Sequence, residues 1–272
     1  MATDVQEQTQ TQSQDQGQGA LAGKQCVVMG VQNRWSIAYA IGEAMANAGA
    51  RLAVRYLDER ARRDAEALVA DRPGAAAYAC NVESDEELDA FAKNLEHDFG
   101  QVDALVHSIA FAPAAELTGR FLDTSRDGFR IAHSVSVYSL IAAAQRVAPL
   151  MTDGGSITTL TYLGADRVFP RYNVMGVAKA ALEATVRYLA ADLGEQQIRV
   201  NAISAGPIKT AAARGIPGFG DMHKLAAERA PLKTSTDPKQ VAAAAVFLAS
   251  DGAANITGET LFVDGGYHVM GM

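Results

Sequence analysis

A tyrosine and a lysine seven positions apart, Tyr172 and Lys179, are the side chains of this sequence best suited to proton chemistry. Their segment has a helical pattern, and seven residues are nearly two turns. Both side chains are therefore expected on one helix face, roughly 10 Å apart along the axis. A free phenol has a pKa of about 10, and a nearby cation stabilises its phenolate. The pair predicts a proton or hydrogen-bond donor. A surface tyrosine beside a solvated lysine is the alternative that these two residues alone leave open.

A glycine turn near the start of the chain indicates a phosphate-binding edge. Residues 26–29 predict a strand, Gly30 follows it, and Ser36 is expected to cap the next helix. A strand that enters a helix through glycine aims backbone N–H groups at a diphosphate. The three-glycine pattern of many dinucleotide sites is absent, so this turn alone is typical of many α/β proteins. Asn81 and Val82, after the third predicted strand, are candidates for holding adenine, with a simple turn as the alternative for Asn81.

Predicted strands and helices alternate along the sequence, which favours a parallel sheet covered on both faces. We therefore predict an α/β fold, a single-domain Rossmann-like doubly wound parallel sheet of about seven strands. The predicted strands are 26–29, 52–54, 75–80, 104–106, 156–160, 199–202 and 260–263. The predicted helices are 36–48, 59–70, 83–99, 125–150, 173–193 and 241–249.

Two segments fall outside this alternation. Residues 1–20 are rich in glutamine and carry too little apolar surface to offset their ordering entropy, so a disordered tail is expected before a domain at 21–272. Residues 207–233 contain three glycines and three prolines and are expected to form a lid over the sheet. The lid sequence carries five basic and two acidic residues, a local charge of +3 in a chain of net charge −7.

Composition narrows the class of protein. The chain has 272 residues, 49% of them hydrophobic and 20% charged, which suits one sizeable core. The acidic balance argues against a nucleic-acid partner, and no apolar run or N-terminal signal predicts a membrane or secreted protein. A cytoplasmic location is expected. Cys26 and Cys80 are expected to be buried and, if a strand separates theirs, too far apart to bridge. The five histidines show no metal-ligand spacing, so no metal is predicted.

Six motifs in a fixed order carry a family resemblance. They are Gly30 with Ser36-Ile37, 107–113, 159–165, 172–179, 199–210 and 257–266. Over residues 22–272 the chain resembles the bacterial enoyl-[acyl-carrier-protein] reductases of the short-chain dehydrogenase/reductase superfamily. The ketoreductases of that superfamily use Tyr-x-x-x-Lys with an upstream serine. Here the fourth residue after Tyr172 is Gly176, and a second tyrosine, Tyr162, lies ten positions upstream.

The resemblance implies specific roles. Tyr172 would bind the thioester carbonyl and stabilise the enolate, Lys179 would hold the nicotinamide ribose and support Tyr172, and Tyr162 would be a second active-site tyrosine. The implied cofactor-binding residues besides Lys179 are Gly30, Ser36, Ile37, Leu57, Asn81, Val82, Ile109, Ile208, Lys209, Thr210, Ala211 and Ala212. The implied substrate-binding residues are Ala112, Met175, Ile216, Phe219 and Met222, of which the last four have ordinary core packing as their alternative.

The same resemblance implies a cofactor, a carrier and an assembly. NADPH-using relatives carry a basic pair at the end of strand 2, where this chain has Leu57 and Asp58, so NADH is expected. The acidic acyl carrier protein is the expected partner, received by the basic lid, and a homotetramer is expected. Two alternatives stay open: a reductase acting on another carbonyl or an imine, and a dinucleotide-binding regulator without turnover.

Overall fold

In a computed structural model, residues 19–210 and 219–271 can be described, and they form one parallel sheet with helices on both faces. The strands are β1 (Gln25–Val31), β2 (Arg51–Tyr56), β3 (Ala76–Ala79), β4 (Ala104–His107), β5 (Gly155–Thr161), β6 (Ile198–Ala205) and β7 (Thr260–Val263). They lie in the order β3-β2-β1-β4-β5-β6-β7, and every pair is parallel. The predicted fold class is confirmed.

The helices alternate with these strands. They are α1 (Ile37–Asn47), α2 (Glu59–Val69), α3 (Asp85–Phe99), α4 (Arg126–His133), α5 (Ser139–Val147), α6 (Val174–Leu193), α7 (Phe219–Arg229) and α8 (Pro238–Ala249). The long helix predicted over 125–150 is interrupted: a π-helical segment, Ser134–Tyr138, joins α4 to α5. In that segment the N–H of Ser139 donates to the carbonyl of Ser134, five residues back.

Local sequence explains where the helices begin. Side chains with short oxygen-bearing groups cap the first turn, as their preference for helix starts requires. The capping side chains are Ser36, Asp58, Ser84, Ser125 and Asp237. Asp237 and Gln240 complete a capping box. The cap predicted at Ser36 is confirmed, because its hydroxyl accepts from the N–H of Tyr39 at 3.3 Å.

Alternation along the strands divides the apolar side chains between two cores. One core packs α3, α5 and α6 against one face of the sheet, and the other packs α1, α2 and α8 against the opposite face. Because β1, β2, β4 and β5 are covered on both sides, their residues are buried almost without exception. All carboxyl ends of the strands therefore meet at one edge, where ligands of such sheets bind.

The cysteine prediction is confirmed in its main points. Cys26 lies in β1 and Cys80 one residue beyond β3, so β2 separates them. Both are buried free thiols, and burial raises the pKa of Cys26 to about 12. Among the described residues no helix is long and apolar enough to cross a membrane. The same residues contain no cluster of side chains that could hold a metal ion.

Candidate active site

Both predicted catalytic tyrosines belong to one small apolar cluster, separate from the two cores. The rings of Tyr162 and Tyr172 meet edge to face, with centroids 5.1 Å apart and planes at 71°. The cluster consists of Leu117, Ala132, Tyr172, Val174 and Met175, with Ala112, Tyr162 and Phe169 at its boundary. The hydroxyl of Tyr162 also reaches the sulfur of Met222 on α7, at 3.2 Å. Four predicted substrate or catalytic positions are thus brought together in one cluster, and a fifth touches it.

Two glycines give these rings their positions. A Cβ on Gly164 would lie 2.5 and 2.6 Å from the Tyr172 ring and 3.0 Å from the Tyr162 ring. A Cβ on Gly176 would lie 2.9 Å from the carbonyl oxygen of Gly164. Gly176 is the fourth residue after Tyr172, where a Tyr-x-x-x-Lys protein has its lysine. At this position a longer side chain would press on the turn that supports both tyrosines.

The prediction that Tyr172 lies on the helix face of Lys179 is wrong. Helix α6 begins at Val174, and Tyr172 belongs to the turn before it, its N–H bonded to the carbonyl of Phe169. Arg171 and Asn173 have φ values of 65° and 40°, in the range that side chains rarely adopt. This strained turn, invisible to helix periodicity, directs the phenol into the apolar cluster.

The expected effect of the cation on the phenol is also reversed. Tyr172 is only 8% exposed, and burial, followed by the negative charge of Glu183, raises its pKa above the ordinary value. Burial likewise raises the pKa of Tyr162. Desolvation therefore outweighs any stabilisation of the phenolate by Lys179. Tyr172 is a neutral hydrogen-bond donor across the neutral pH range.

Lys179 is a buried cation, and within 19–210 and 219–271 its single hydrogen-bond acceptor is the backbone carbonyl of Leu160, 2.7 Å from its Nζ. Burial lowers its pKa to about 8, and the carboxylate of Glu183 opposes that shift. Glu183 is itself held by the hydroxyl of Thr161, which donates to it at 2.7 Å. An ammonium with two donors left over, close to the carboxyl end of β5, can bind hydroxyl groups of a ligand.

A neutral histidine lies beneath this site. His107, at the end of β4, is fully buried between the hydroxyls of Thr159 at 3.0 Å and Ser139 at 2.8 Å. Burial, with the charges of Lys179 and Arg55, lowers its pKa to about 3. The Ser139 hydroxyl also reaches the carbonyl of Val135 at 2.6 Å, and the Thr159 hydroxyl reaches the carbonyl of His107 at 3.1 Å, so hydroxyl groups satisfy both nitrogens of the neutral ring. The histidine is a supporting group rather than an acid.

Ser136, in the π-helical segment, forms hydrogen bonds with the segment that follows β4. Its hydroxyl is 3.0 Å from the N–H of Phe111, which donates to it, and 3.1 Å from the carbonyl of the same residue. The hydroxyl also lies 3.9 Å from the sulfur of Met175. Residues 108–113 have no regular structure. Ser136 therefore fixes the segment that carries Ile109 and Ala112 against the tyrosine cluster.

The predicted cofactor positions collect at the carboxyl edge of the sheet. Leu57 is half exposed after β2, Asn81 and Val82 follow β3, Ile109 follows β4, and Ile208, Lys209 and Thr210 follow β6. The side chain of Asn81 accepts from the N–H of Glu83, so it also makes the simple turn that was its alternative. Asp58 is occupied as the cap of α2. Ala211, Ala212, Ile216 and the side chain of Phe219 lie outside the described residues, as do residues 1–18 of the predicted tail.

The glycine turn fits a dinucleotide diphosphate. Gly30 has a φ of 107°, and a Cβ there would lie 2.1 Å from the carbonyl oxygen of Ser108. The turns after β1 and β4 therefore approach as only glycine permits. Ser36 satisfies the N–H of Tyr39, while Ile37 and Ala38 begin α1 without acceptors inside the helix. Free N–H groups and the helix dipole at this point favour a bound anion.

Sequence reasoning missed several residues that shape this site. Gly164, Ser136 and Glu183 act on other side chains and have no motif of their own. His107 begins the 107–113 motif, but neither the resemblance nor metal-ligand spacing assigns it a role. Arg55 belongs to none of the six motifs. The alternation of side chains along β2 was the available signal for Arg55. Arg55 follows Ala53 by two residues and therefore faces the same core.

Comparison with known proteins agrees with this geometry. A family model described as enoyl-(acyl carrier protein) reductase matches residues 30–268. The enoyl-[acyl-carrier-protein] reductase [NADH] FabI of Bacillus subtilis is 48% identical over 252 residues, covering 92% of this chain and 98% of that protein. The NADPH enzyme of Staphylococcus aureus strain MRSA252 is 46% identical, with 92% and 98% covered.

Solved structures give the same answer. The Bacillus cereus reductase, solved with NADP+ and indole naphthyridinone, superposes with a TM-score of 0.91 at 48% identity, covering 93% of this chain and 100% of that one. The Aquifex aeolicus NADH enzyme superposes with a TM-score of 0.90 at 45% identity, with 93% and 100% covered. A shared motif order, a shared fold and a match along nearly the whole domain leave one conclusion, that this chain belongs to the enoyl-(acyl carrier protein) reductase family.

Proposed function

We propose that this protein reduces the trans-2 double bond of an enoyl thioester carried by acyl carrier protein, with NADH as reductant, in fatty-acid elongation. The observation that carries the proposal is the tyrosine cluster. It combines a buried neutral phenol, a second tyrosine and apolar walls beside an anchored cation. Relatives that are named as NADH-dependent reductases are similar to this chain along the whole domain.

Different residues of the chain have different roles in the reaction. Bound NADH supplies the hydride that reaches the β-carbon of the substrate. Negative charge then develops on the thioester oxygen, and a fixed donor there stabilises the transition state more than the ground state. Tyr172 is that donor, since its raised pKa keeps the phenol protonated. Lys179 would hold the ribose hydroxyls of the cofactor, and the apolar cluster would exclude water around the developing charge.

The test of the activity is NADH oxidation with crotonyl-CoA or a longer trans-2-enoyl thioester, with NADPH measured in parallel. Enoyl-dependent oxidation of NADH supports the proposal, and the NADPH series measures cofactor preference. NADH binding without oxidation, for several chain lengths linked to CoA and to the carrier, would favour the regulator. Oxidation with a ketone or an imine instead would favour the alternative reductase.

A basic pocket supports the acyl carrier protein as partner. Lys209, Lys224 and Lys233 line a surface pocket of about 620 Å³ between α7 and the segment after β6. Lys224 pairs with Glu228 at 3.7 Å, and Lys233 donates to the backbone carbonyl of that same residue at 2.8 Å. An acidic carrier is attracted to such a surface more strongly at low salt.

Charge reversal tests this docking surface. Changing Lys224 and Arg229 to Glu should raise KM for the carrier-linked enoyl substrate several-fold and leave KM for the CoA thioester nearly unchanged. Both side chains are exposed on α7, so folding should not suffer. Reversing Lys239 on α8, also exposed, is the matched control. An equal rise in KM for both substrates would show that the carrier does not bind this surface.

Exposed apolar side chains support the proposed homotetramer. Phe129 on α4, Tyr138 in the π-helical segment and Tyr188 on α6 are 42%, 49% and 77% exposed. Phe129 and Tyr138 line one surface groove, and large exposed apolar side chains are typical of an interface. Light scattering after size exclusion gives the mass directly, and a monomer at micromolar concentration would contradict the proposal. The cytoplasmic location stays a prediction.

A further inference from the structure

One charged side chain lies inside the sheet region with its buried Nε unsatisfied and no oxygen acceptor among the described residues. Arg55, the fifth residue of β2, is 4% exposed. Its Nε is buried and bonds to nothing, the only such side-chain atom among the residues that the structure describes. No described carboxylate, carbonyl or hydroxyl accepts a hydrogen bond from its guanidinium. Buried cations are costly unless paired, so an arginine in this position calls for a partner.

The sheet register places this guanidinium near the carboxyl edge. Arg55 is paired with Met29 on β1 and with Tyr78 on β3, and Met29 is in turn paired with His107 on β4. Neighbouring strands are about 4.8 Å apart, so Arg55 and His107 flank Met29 on one face, about 10 Å from each other. His107 is the last residue of β4, two positions before Ile109. The guanidinium therefore lies at the adenosine end of the predicted cofactor site.

The groups around Arg55 do not neutralise it. Cys80, the residue after β3, is its neighbour and interacts with it through a hydrogen bond, but burial raises the pKa of that thiol, so the thiol stays neutral and is only a weak acceptor. Glu87 on α3 is near enough to act on both groups, but its carboxylate already accepts from the N–H of Asn81 at 2.7 Å. Burial lowers the pKa of Arg55, although an arginine is still charged at neutral pH. The turn 80–82 and the unsatisfied guanidinium therefore lie close together at the carboxyl edge of the sheet.

We infer that Arg55 binds the adenine ring of the cofactor, donating hydrogen bonds to its ring nitrogens beside Asn81, Val82 and Ile109. This inference rests on the proposed use of NADH. Adenine offers acceptor nitrogens and a flat aromatic face, both of which suit a guanidinium. The diphosphate is an unsuitable partner because it belongs to the turn at Gly30 and the start of α1. Arg55 is thus a binding residue whose cost in stability is offset by cofactor affinity.

The experiment measures ligand affinity and thermal stability for Arg55→Met, which keeps an unbranched stem in the core and removes the charge. NADH, ADP-ribose and reduced nicotinamide mononucleotide are titrated by fluorescence or calorimetry. Arg55→Met should bind NADH and ADP-ribose about tenfold or more weakly, since a charged hydrogen bond is lost. Its affinity for the mononucleotide, which lacks adenosine, should not change. Its Tm should rise, because an unpaired buried charge is replaced by an apolar group.

Arg51→Met on the same strand is the matched control. The Arg51 side chain donates to the carbonyls of Gly74 and Asp98 at 2.6 and 2.9 Å, away from the carboxyl edge. This variant should lose stability and keep its NADH affinity, the opposite pattern. Unchanged NADH affinity in Arg55→Met would overturn the inference. So would an equal loss for all three ligands. A parallel NADPH titration that showed a loss confined to NADPH would also overturn it, because the guanidinium would then bind the 2′-phosphate. If the unaltered protein failed to bind NADH, the proposed function would fail instead.

Discussion

Replacing Gly164 by alanine tests whether the spacing of the two tyrosine rings controls turnover. The added Cβ would lie 2.5 Å from the Tyr172 ring and 3.0 Å from the Tyr162 ring. Carbon atoms in ordinary contact are about 3.5 Å apart, so the Tyr172 ring must move by about 1 Å. The backbone of Gly164 is not in the left-handed region, so alanine meets no conformational obstacle there.

The buried Tyr172 ring has little room for this movement, since the cluster encloses it and Tyr162 lies on its edge. A misplacement of about 1 Å in an active site costs about 100-fold in rate, or ~2.7 kcal/mol in the activation free energy. Overpacking should also lower the unfolding free energy by about 1–3 kcal/mol. We expect kcat/KM for the enoyl thioester to fall by about two orders of magnitude. NADH affinity should stay within about twofold, since the glycine turn for the diphosphate belongs to β1 and Gly164 follows β5, two strands away in the sheet.

Steady-state NADH oxidation, NADH titration and thermal unfolding measure these three quantities. Gly194→Ala is the matched control, because a Cβ there meets nothing within 4 Å and its φ is −61°. That variant should be unchanged in rate and as stable as the unaltered protein. If Gly164→Ala retained its rate within threefold and its Tm, the rings would be free to adapt and the argument from spacing would be refuted. A matching loss of NADH affinity would show a general disruption of the fold.

Two further predictions concern the polar groups of the site. Tyr172→Phe should lower kcat by about 100-fold, the scale of one lost transition-state donor, with NADH affinity nearly unchanged by titration. An unchanged rate would remove Tyr172 from the mechanism. Because burial sets the pKa of Lys179 at about 8, kcat/KM for NADH should fall as pH rises through that value, since the ribose-binding ammonium loses its proton. Lys179→Arg should abolish this basic limb of the pH profile, and persistence of the limb would assign it to another group.

The sequence predicted the parts of this structure that depend on local pattern. Buried strands of the sheet appear as short apolar runs, and Ser36 has the residue type and position of a helix cap. Because every parallel strand ends at the same edge, residues after those strands could be assigned to one site before their contacts were known. The family resemblance supplied the roles of Tyr162 and Tyr172, which pattern alone could not give.

The remaining features depend on contacts between distant segments. The positive φ values around Tyr172 are held by the surrounding turn and have no periodic signature. The long helix predicted over 125–150 breaks into a π-helical segment, although its residues have ordinary helix or strand preferences. Arg55, a charge near the end of β2, is buried although charged side chains usually lie at the surface. In each case tertiary packing overrides a local preference.

The π-helical segment makes the fold sensitive to the number of residues between α4 and α5, whatever the types of those residues. Removing any one residue from Ser134–Tyr138 would leave an uninterrupted α-helix with a better internal hydrogen-bond ladder. It would also rotate everything on one side of the deletion by about 100° relative to the other. Ser139 could then no longer face His107 while α4 kept its place. Single-residue deletions here should therefore be harmful whichever residue is lost, whereas many single substitutions at exposed positions of the same segment should be tolerated.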